Sequence, residues 1–124
     1  MNGLINNYNL ELEVISACIS DGNIFHALSP SLCRELFTEP DTQTAYDVMK
    51  GIEKNGEVVE FMKVGTILNE KGLDIAKFVS SHAASYEVTR QQVEMLEDLM
   101  LKRNLYILCI EGQRIAMTPT SDIE

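Results

Sequence analysis

The side chains best suited to acid–base chemistry near neutral pH are the two histidines, His26 and His82, which lie far apart in the sequence. The sequence contains no HExxH zinc motif, no GxSxG nucleophile motif and no GxxxxGKS/T phosphate loop. The acidic residues are numerous but scattered over the predicted helix surfaces, where a solvated face is the simplest explanation. We therefore predict that this chain has no catalytic site and binds no metal or cofactor of its own.

The three cysteines, Cys18, Cys33 and Cys109, are scattered along the chain and none lies in a CxxC pair, so they do not form a disulfide framework. We interpret each as a small buried apolar residue in a reducing compartment. The N-terminus lacks the basic and apolar regions of a signal peptide, and no apolar run is long enough to cross a bilayer. These features predict a soluble cytoplasmic protein without a membrane partner.

The charge balance bears on which partners the chain can bind. The sequence has 10 lysine and arginine residues against 19 aspartate and glutamate residues, which gives a net charge of −9. Affinity for nucleic acid rests largely on basic side chains that neutralise phosphates, and the basic cluster Lys102-Arg103 is short. We therefore predict that this chain does not bind DNA or RNA directly and that a basic protein partner suits it better.

The elements that position these residues are predicted to be helices, because apolar residues recur at helical spacing and strands have almost no support. The first helix is predicted at residues 10–20, with Asn9 as its N-cap. Its inner face carries Leu12, Ile15 and Ile19, and Glu11 and Glu13 are expected to favour the positive end of the helix dipole. A chain of 124 residues can bury a core of its own, so we predict a single domain.

Pro, Gly and Asn residues divide the next part of the chain into shorter helices. A short turn at residues 24–28 precedes a helix over residues 29–37, in which Ser29 is the N-cap and Pro30 the first residue. A longer helix is predicted at residues 41–55, after a break at Pro40 and with Asp41 or Thr42 as its cap. The next is predicted at residues 62–71 and is ended by Gly72. A last short helix is predicted at residues 73–79, with Ile75, Phe78 and Val79 inward. We therefore expect six or seven helices in an all-α fold.

The strongest helical signal is the stretch from Tyr86 to Met117, which contains no Pro and no Gly before Gly112. It has two apolar faces, one formed by Val93, Leu96, Met100 and Ile107, and the other by Leu101, Leu105, Leu108 and Ile115. One face can pack on the chain's own core, but the second requires another segment or another subunit. A core helix surrounded by its own domain is the alternative explanation.

These boundaries divide the chain into a flexible N-terminus (residues 1–8), a helical globular part (9–85), the long helix (86–117) and a turn into a further helix (118–124). Ser121 and Glu124 match the capping box that opens a helix. We therefore expect the chain to be a fragment that is cut at the start of this helix, whereas an ordinary disordered tail is the alternative.

Several stretches of the sequence carry a resemblance to a known family. They are Asn9-Leu10-Glu11-Leu12-Glu13 before an apolar helix; Leu36-Phe37 and Pro40 before a helix with Ala45, Tyr46 and Met49; Gly56-Glu57-Val58-Val59-Glu60 with Val64, Leu68 and Lys71-Gly72-Leu73; and Arg103 with Leu105. In this pattern the chain resembles the N-terminal domain of DnaB-type replicative DNA helicases. The Gly-Gly and Tyr-Leu pairs usual before the long helix are absent, which is typical of a divergent member.

The resemblance implies a specific architecture and role. In that family the domain is a non-catalytic collar above a hexameric motor, and it consists of a small orthogonal helix bundle followed by a helical hairpin through which the domains pair. The long helix here would be the first arm of that hairpin. The collar also binds the C-terminal domain of primase and, in some cases, a helicase loader. ATP and Mg²⁺ belong to a RecA-like motor domain further along the parent protein.

On this mapping the candidate surface for pairing and docking comprises five residues of the long helix: Leu99, Met100, Arg103, Leu105 and Leu108. The alternative function is a free-standing helical adaptor or regulator with no motor domain, and the sequence beyond Glu124 would discriminate between the two. A helix-turn-helix DNA-binding protein is a weaker third hypothesis, because it needs a basic recognition helix.

Overall fold

A computed structural model describes residues 7–79 and 84–117 of the chain, and within these ranges the fold is all-α, as predicted. The five α-helices are α1 (Tyr8–Ser20), α2 (Gly22–Leu28), α3 (Pro40–Lys54), α4 (Phe61–Glu70) and α5 (Tyr86–Met117). Three 3₁₀ turns lie at Ser29–Ser31, Arg34–Leu36 and Ile75–Phe78. The predicted six or seven helices are thus five helices and three turns in the described ranges.

Some predictions concern residues outside these ranges. They are residues 1–6 of the N-terminus predicted as flexible over residues 1–8, the isolated His82 and the capping box formed by Ser121 and Glu124. The other two residues of that N-terminus, Asn7 and Tyr8, are the N-cap and the first residue of α1, so the prediction was wrong for them.

Helix α1 lies at the centre of the fold and contacts all four other α-helices. Its apolar residues Val14, Ile15 and Ile19 are at most 2% exposed, so the rest of the chain covers this part of the helix. The prediction that Asn9 is the N-cap was wrong. The cap is Asn7, whose extended backbone leads into the helix and whose side-chain oxygen accepts a hydrogen bond from the Leu10 amide at 3.1 Å.

A buried carboxylate ties α1 to the start of α3. Glu11 is 0% exposed and accepts three hydrogen bonds, from the Thr38 amide (3.0 Å), the Thr38 hydroxyl (2.6 Å) and the Thr42 hydroxyl (2.8 Å). A buried charge is tolerated only when donors replace the water it loses, and these three donors do so. Glu11 therefore connects α1 to the segment that leads into α3. The sequence predicted only a favourable interaction of Glu11 with the helix dipole and not this connection.

Helix α3 begins at Pro40 itself, so the prediction of a break at Pro40 and a cap at Asp41 or Thr42 was wrong. Proline is favourable as the first helical residue because the amide it lacks would have no partner there. The residue before it, Glu39, is the N-cap position and makes no side-chain cap hydrogen bond. The helix ends before Gly56, whose φ of +76° suits glycine at the turn.

Residues 29–37 form two 3₁₀ turns and not the predicted helix. The backbones of Leu32 and Cys33 are extended, with ψ of 144° and 162°, and they interrupt the helical path. The apolar side chains of this segment, Leu32, Leu36 and Phe37, are nevertheless all buried. Burial of the side chains around α1 thus determines this segment more strongly than its local helix signals do.

Helix α4 begins and ends one residue earlier than the predicted range of 62–71. As predicted, Gly72 follows its end, and the φ of +83° at Gly72 explains the need for glycine there.

The segment predicted as a helix at residues 73–79 is a short 3₁₀ turn. Phe78 is buried and Ile75 half-buried, as expected, but Val79 is 57% exposed, so its predicted inward position was wrong. The turn ends at Phe78, and the extended backbone of Val79 carries the chain out of the core.

The loop between α3 and α4 lies close against α2. A Cβ atom on Gly22 would lie only 1.9 Å from the carbonyl oxygen of Val59, so only glycine allows this approach. The Val59 amide donates to Nε2 of His26 at 3.2 Å, and Nδ1 of His26 donates to Glu53 at 3.1 Å. His26 is therefore a structural residue that holds this loop against α2 and α3.

Candidate docking surface

Helix α5 divides into two parts with different surroundings. We call residues 86–100 the attached half, because the apolar residues of α5 that are buried or packed against the core all lie there. We call residues 101–117 the distal half. Its side chains from Leu101 to Arg114 are exposed, with Arg103 half-buried. At a rise of about 1.5 Å per residue, the distal half extends for about 25 Å.

The attached half is held by apolar contacts and by a few polar ones. Thr89, Val93 and Leu96 are at most 2% exposed, and their spacing places them on one helical face. The hydroxyl of Ser85 accepts the Val88 amide at 3.4 Å, which satisfies one of the free amides at the start of the helix. This half therefore belongs to the core of the domain.

Three of the five predicted surface residues lie where the helix leaves the core. Leu99 and Met100 are half-buried and pack against the core, and the sulfur of Met100 is 3.9 Å from that of Cys33. The guanidinium of Arg103 donates to the backbone carbonyl of Glu35 at 2.7 Å. These contacts fix the direction in which α5 leaves the domain.

The other two predicted residues, Leu105 and Leu108, lie on the distal half and are 54% and 65% exposed. With Leu101, which is 57% exposed, they follow one another at spacings of four and three residues. Such spacing places the three leucines on one helical face. The structure thus brings them together in an exposed apolar stripe, separate from Leu99, Met100 and Arg103.

A second apolar face of the distal half was predicted to pack on the chain's own core and does not. Ile107 continues the line of Val93, Leu96 and Met100, but it is 55% exposed because the helix has passed the end of the core at this point. Tyr106 and Ile110 are also exposed, at 45% and 44%. The apolar run at residues 105–110 was the sequence signal for these additional residues.

The leucine face changes character along the helix. Going back towards the N-terminus, the same face carries charged residues, among them Arg90, which forms ion pairs with Glu87 at 3.0 Å and Glu94 at 2.5 Å. Exposed ion pairs of this kind are typical of a solvated helix surface. The face therefore changes from solvated to apolar where the helix leaves the domain.

The cysteines differ in burial, and the interpretation of all three as buried was wrong for two of them. Cys18 is buried as predicted, and burial raises the pKa of its thiol to about 12. Cys33 is half-buried, and burial raises the pKa of its thiol as well. Cys109 lies on the distal half and is exposed, because no described part of the chain covers the helix there.

The ionisable groups with perturbed pKa values serve structural contacts. Burial acts to raise the pKa of Asp41, but the hydrogen bonds from Tyr8 and Lys77 outweigh it, so this pKa lies below its ordinary value. The hydrogen bond to Asp41 in turn raises the pKa of Tyr8 to about 12. Lys77 lies 3.0 Å from Asp41. This cluster joins α1, α3 and the turn Ile75–Phe78.

Among the described residues, no group of three or more His, Cys, Asp or Glu side chains has the geometry to hold a metal ion. No α-helix in these ranges combines the length and the apolar character needed to span a membrane. The distal half carries exposed large apolar side chains: Leu101, Leu105, Tyr106, Ile107, Leu108 and Ile110.

Comparison with known proteins identifies one family. The family model described as the DnaB-like helicase N terminal domain matches residues 4–97, which cover the described bundle and most of the attached half of α5. No curated protein matches the chain with significant similarity.

Proposed function

The chain belongs to the family of DnaB-like helicase N-terminal domains, and from this premise we propose that it is the non-catalytic collar of a hexameric replicative DNA helicase. In this role it pairs subunits and docks primase or a helicase loader in the cytoplasm. ATP and Mg²⁺ act in the motor domain of the parent protein. The observation that carries the proposal is the exposed apolar distal half of α5.

The distal half supports a pairing role because its apolar surface is large and lies on two faces. Leu101, Leu105 and Leu108 form one face, and Tyr106, Ile107 and Ile110 widen the apolar surface to the other side. A helix that is apolar on several sides is stable in water only when several elements cover it. Two coverings fit this need: the second arm of a hairpin and the hairpin of a neighbouring subunit.

The charge of the chain supports a protein partner over nucleic acid. With a net charge of −9, the domain repels phosphate backbones, since binding to DNA depends on basic side chains. We therefore propose that contact with DNA is made elsewhere in the parent protein.

The test uses the full-length protein with Leu105→Asp and Leu108→Asp together. Each buried aspartate in a pairing interface would cost several kcal/mol, so the hexamer should dissociate into smaller species. Light scattering after size-exclusion chromatography measures the assembly, and circular dichroism checks the fold. A matched control, Val58→Asp with Met62→Asp, changes two exposed apolar residues outside α5.

If the double leucine variant folds and still forms hexamers, the distal half is not the pairing surface and the proposal fails. If both double variants disrupt the hexamer equally, then any pair of added aspartates on the surface weakens assembly, and the leucines of the distal half have no special role in it.

A further inference from the structure

A groove outside the distal half lies between the N-terminus of α1 and the attached half of α5. It has a volume of about 550 Å³ and is lined by residues from both helices. This volume is within the range of protein sites that hold small molecules or peptide side chains. The family assignment and the proposed pairing role leave this groove unexplained.

Three of the residues that line the groove are apolar, and we call them its floor; Asn7 and Gln91 are neutral and polar. Leu10 from α1 is 7% exposed, Leu99 from α5 is half-buried, and Met95 from α5 is 53% exposed. Methionine is flexible and polarisable, so its side chain adapts to an apolar partner. Two helices with an apolar strip between them form the kind of surface that receives the apolar face of a third helix.

The rim of the groove is acidic. Glu94 and Asp98 form it, and the lining residues that the structure describes include no lysine or arginine. Each carboxylate has an ion pair on its own helix, Glu94 with Arg90 at 2.5 Å and Asp98 with Lys102 at 3.0 Å. Both pairs are exposed, and exposed pairs contribute little, so a cation from a partner can replace the intrahelical one at small cost.

We propose that the groove binds a cationic amphipathic helix of a partner protein. The leucine or isoleucine side chains of that helix lie on Leu10, Met95 and Leu99, and its lysine or arginine side chains lie over Glu94 and Asp98. Copies of this chain are proposed above to meet through the distal half, so the groove is left to a different partner, whose cationic side chains match Glu94 and Asp98. The inference rests on the docking role proposed above but not on the pairing role.

The experiment measures binding of a synthetic helical peptide to the full 124-residue chain. The probe carries leucines at helical spacing and lysines at all other positions, and a matched probe carries glutamate in place of each lysine. Fluorescence anisotropy gives the affinities, and amide chemical shifts locate the site. We expect the lysine probe to bind, the glutamate probe to fail, and the shifts to centre on Leu10, Met95 and Leu99.

Variants of the chain separate the groove from other exposed apolar surfaces. Met95→Lys should weaken binding of the lysine probe by about tenfold or more, because it removes apolar contact and adds a like charge. The control Met62→Lys changes a methionine that is 75% exposed and lies outside the groove, so it should leave the affinity unchanged. Glu94→Gln with Asp98→Asn should weaken binding by a smaller factor without changing the shape of the floor.

Three results would overturn the inference. They are equal binding of both probes, chemical shifts centred on residues 101–110, and loss of affinity with Leu105→Asp and Leu108→Asp but not with Met95→Lys. The last two assign the peptide to the distal half. Because assembly of the full-length protein is measured separately, the groove can fail while the pairing role stands, and the reverse also holds.

Discussion

In the attached half of α5, Val93 and Leu96 are at most 2% exposed, whereas Leu101, Leu105 and Leu108 in the distal half are 54–65% exposed. Both halves are rich in good helix formers, so local propensity explains why the helix is continuous. It does not explain stability, because helices without tertiary contacts are marginal in water. The comparison indicates that the attached half stabilises this domain and that the distal half exposes apolar surface, which the proposed pairing role requires.

The largest expected difference between the two halves is the loss of stability when a leucine in each is replaced by alanine. Leu96→Ala should lower the free energy of unfolding by about 2–5 kcal/mol, because Leu96 is 0% exposed and its truncation opens a cavity in the core. Leu108→Ala should change it by no more than about 0.5 kcal/mol, because its side chain is 65% exposed. Urea denaturation followed by circular dichroism measures both. Equal losses would show that the distal half packs on the domain.

A matched pair of carboxylates tests the polar contacts in the same way. Glu11→Ala should cost about 2–4 kcal/mol, because the half-buried amide and hydroxyl of Thr38 lose their acceptor, and the Thr42 hydroxyl keeps only the Glu39 carbonyl. Glu111→Ala removes only an exposed ion pair with Arg114 and should change stability by less than about 0.5 kcal/mol. Thermal unfolding of the two variants distinguishes these outcomes. A Glu11 variant as stable as wild type would contradict the buried network.

Two glycines should respond to alanine with opposite signs. At Gly22 a Cβ atom would meet the Val59 carbonyl, so Gly22→Ala should destabilise the fold by about 1–3 kcal/mol. At Gly112 nothing lies within 4 Å, and alanine there should favour helix in the distal half by about 0.5–1 kcal/mol. Urea denaturation reports the first change, and slower amide exchange near residue 112 reports the second.

A dependence of stability on pH is expected from Asp41, which lies outside α5. The pKa of Asp41 is lower in the folded chain than in the unfolded one, so its contribution is present above about pH 4 and is lost as the pH falls through the folded value. Asp41→Asn should therefore destabilise the domain by about 1 kcal/mol at neutral pH, and the difference from wild type should shrink in acid. Denaturation of both proteins at pH 7 and pH 3 measures this change. A difference that stays constant would show that the charge of Asp41 does not contribute.

The sequence predicted some parts of this fold because their determinants are local. Helix α5 has the predicted bounds, Tyr86 and Met117, because no proline or early glycine interrupts its helix formers. The turn at Gly72 was predictable for the same reason, since a positive φ favours glycine. The exposed face with Leu105 and Leu108 also followed from a local pattern, namely more apolar faces than one core can cover.

Other parts depend on contacts between distant residues, and there the sequence was insufficient. The segment at residues 29–37 has an N-cap and a proline suited to a helix, yet burial of Leu32 and Phe37 produces two turns. Nothing local to Glu11 indicates that Thr38 will donate to it. The groove above Met95 exists only because α1 and α5 pack side by side.

The exposure of Cys109 makes the distal half accessible to chemical labelling without any mutation. A maleimide reagent needs a thiolate that it can reach, and burial raises the pKa of Cys18 to about 12 and also raises the pKa of Cys33. Under mild conditions a fluorophore or spin label should therefore attach at Cys109 first. That natural attachment point would report directly on what approaches residues 105–110 of the isolated chain.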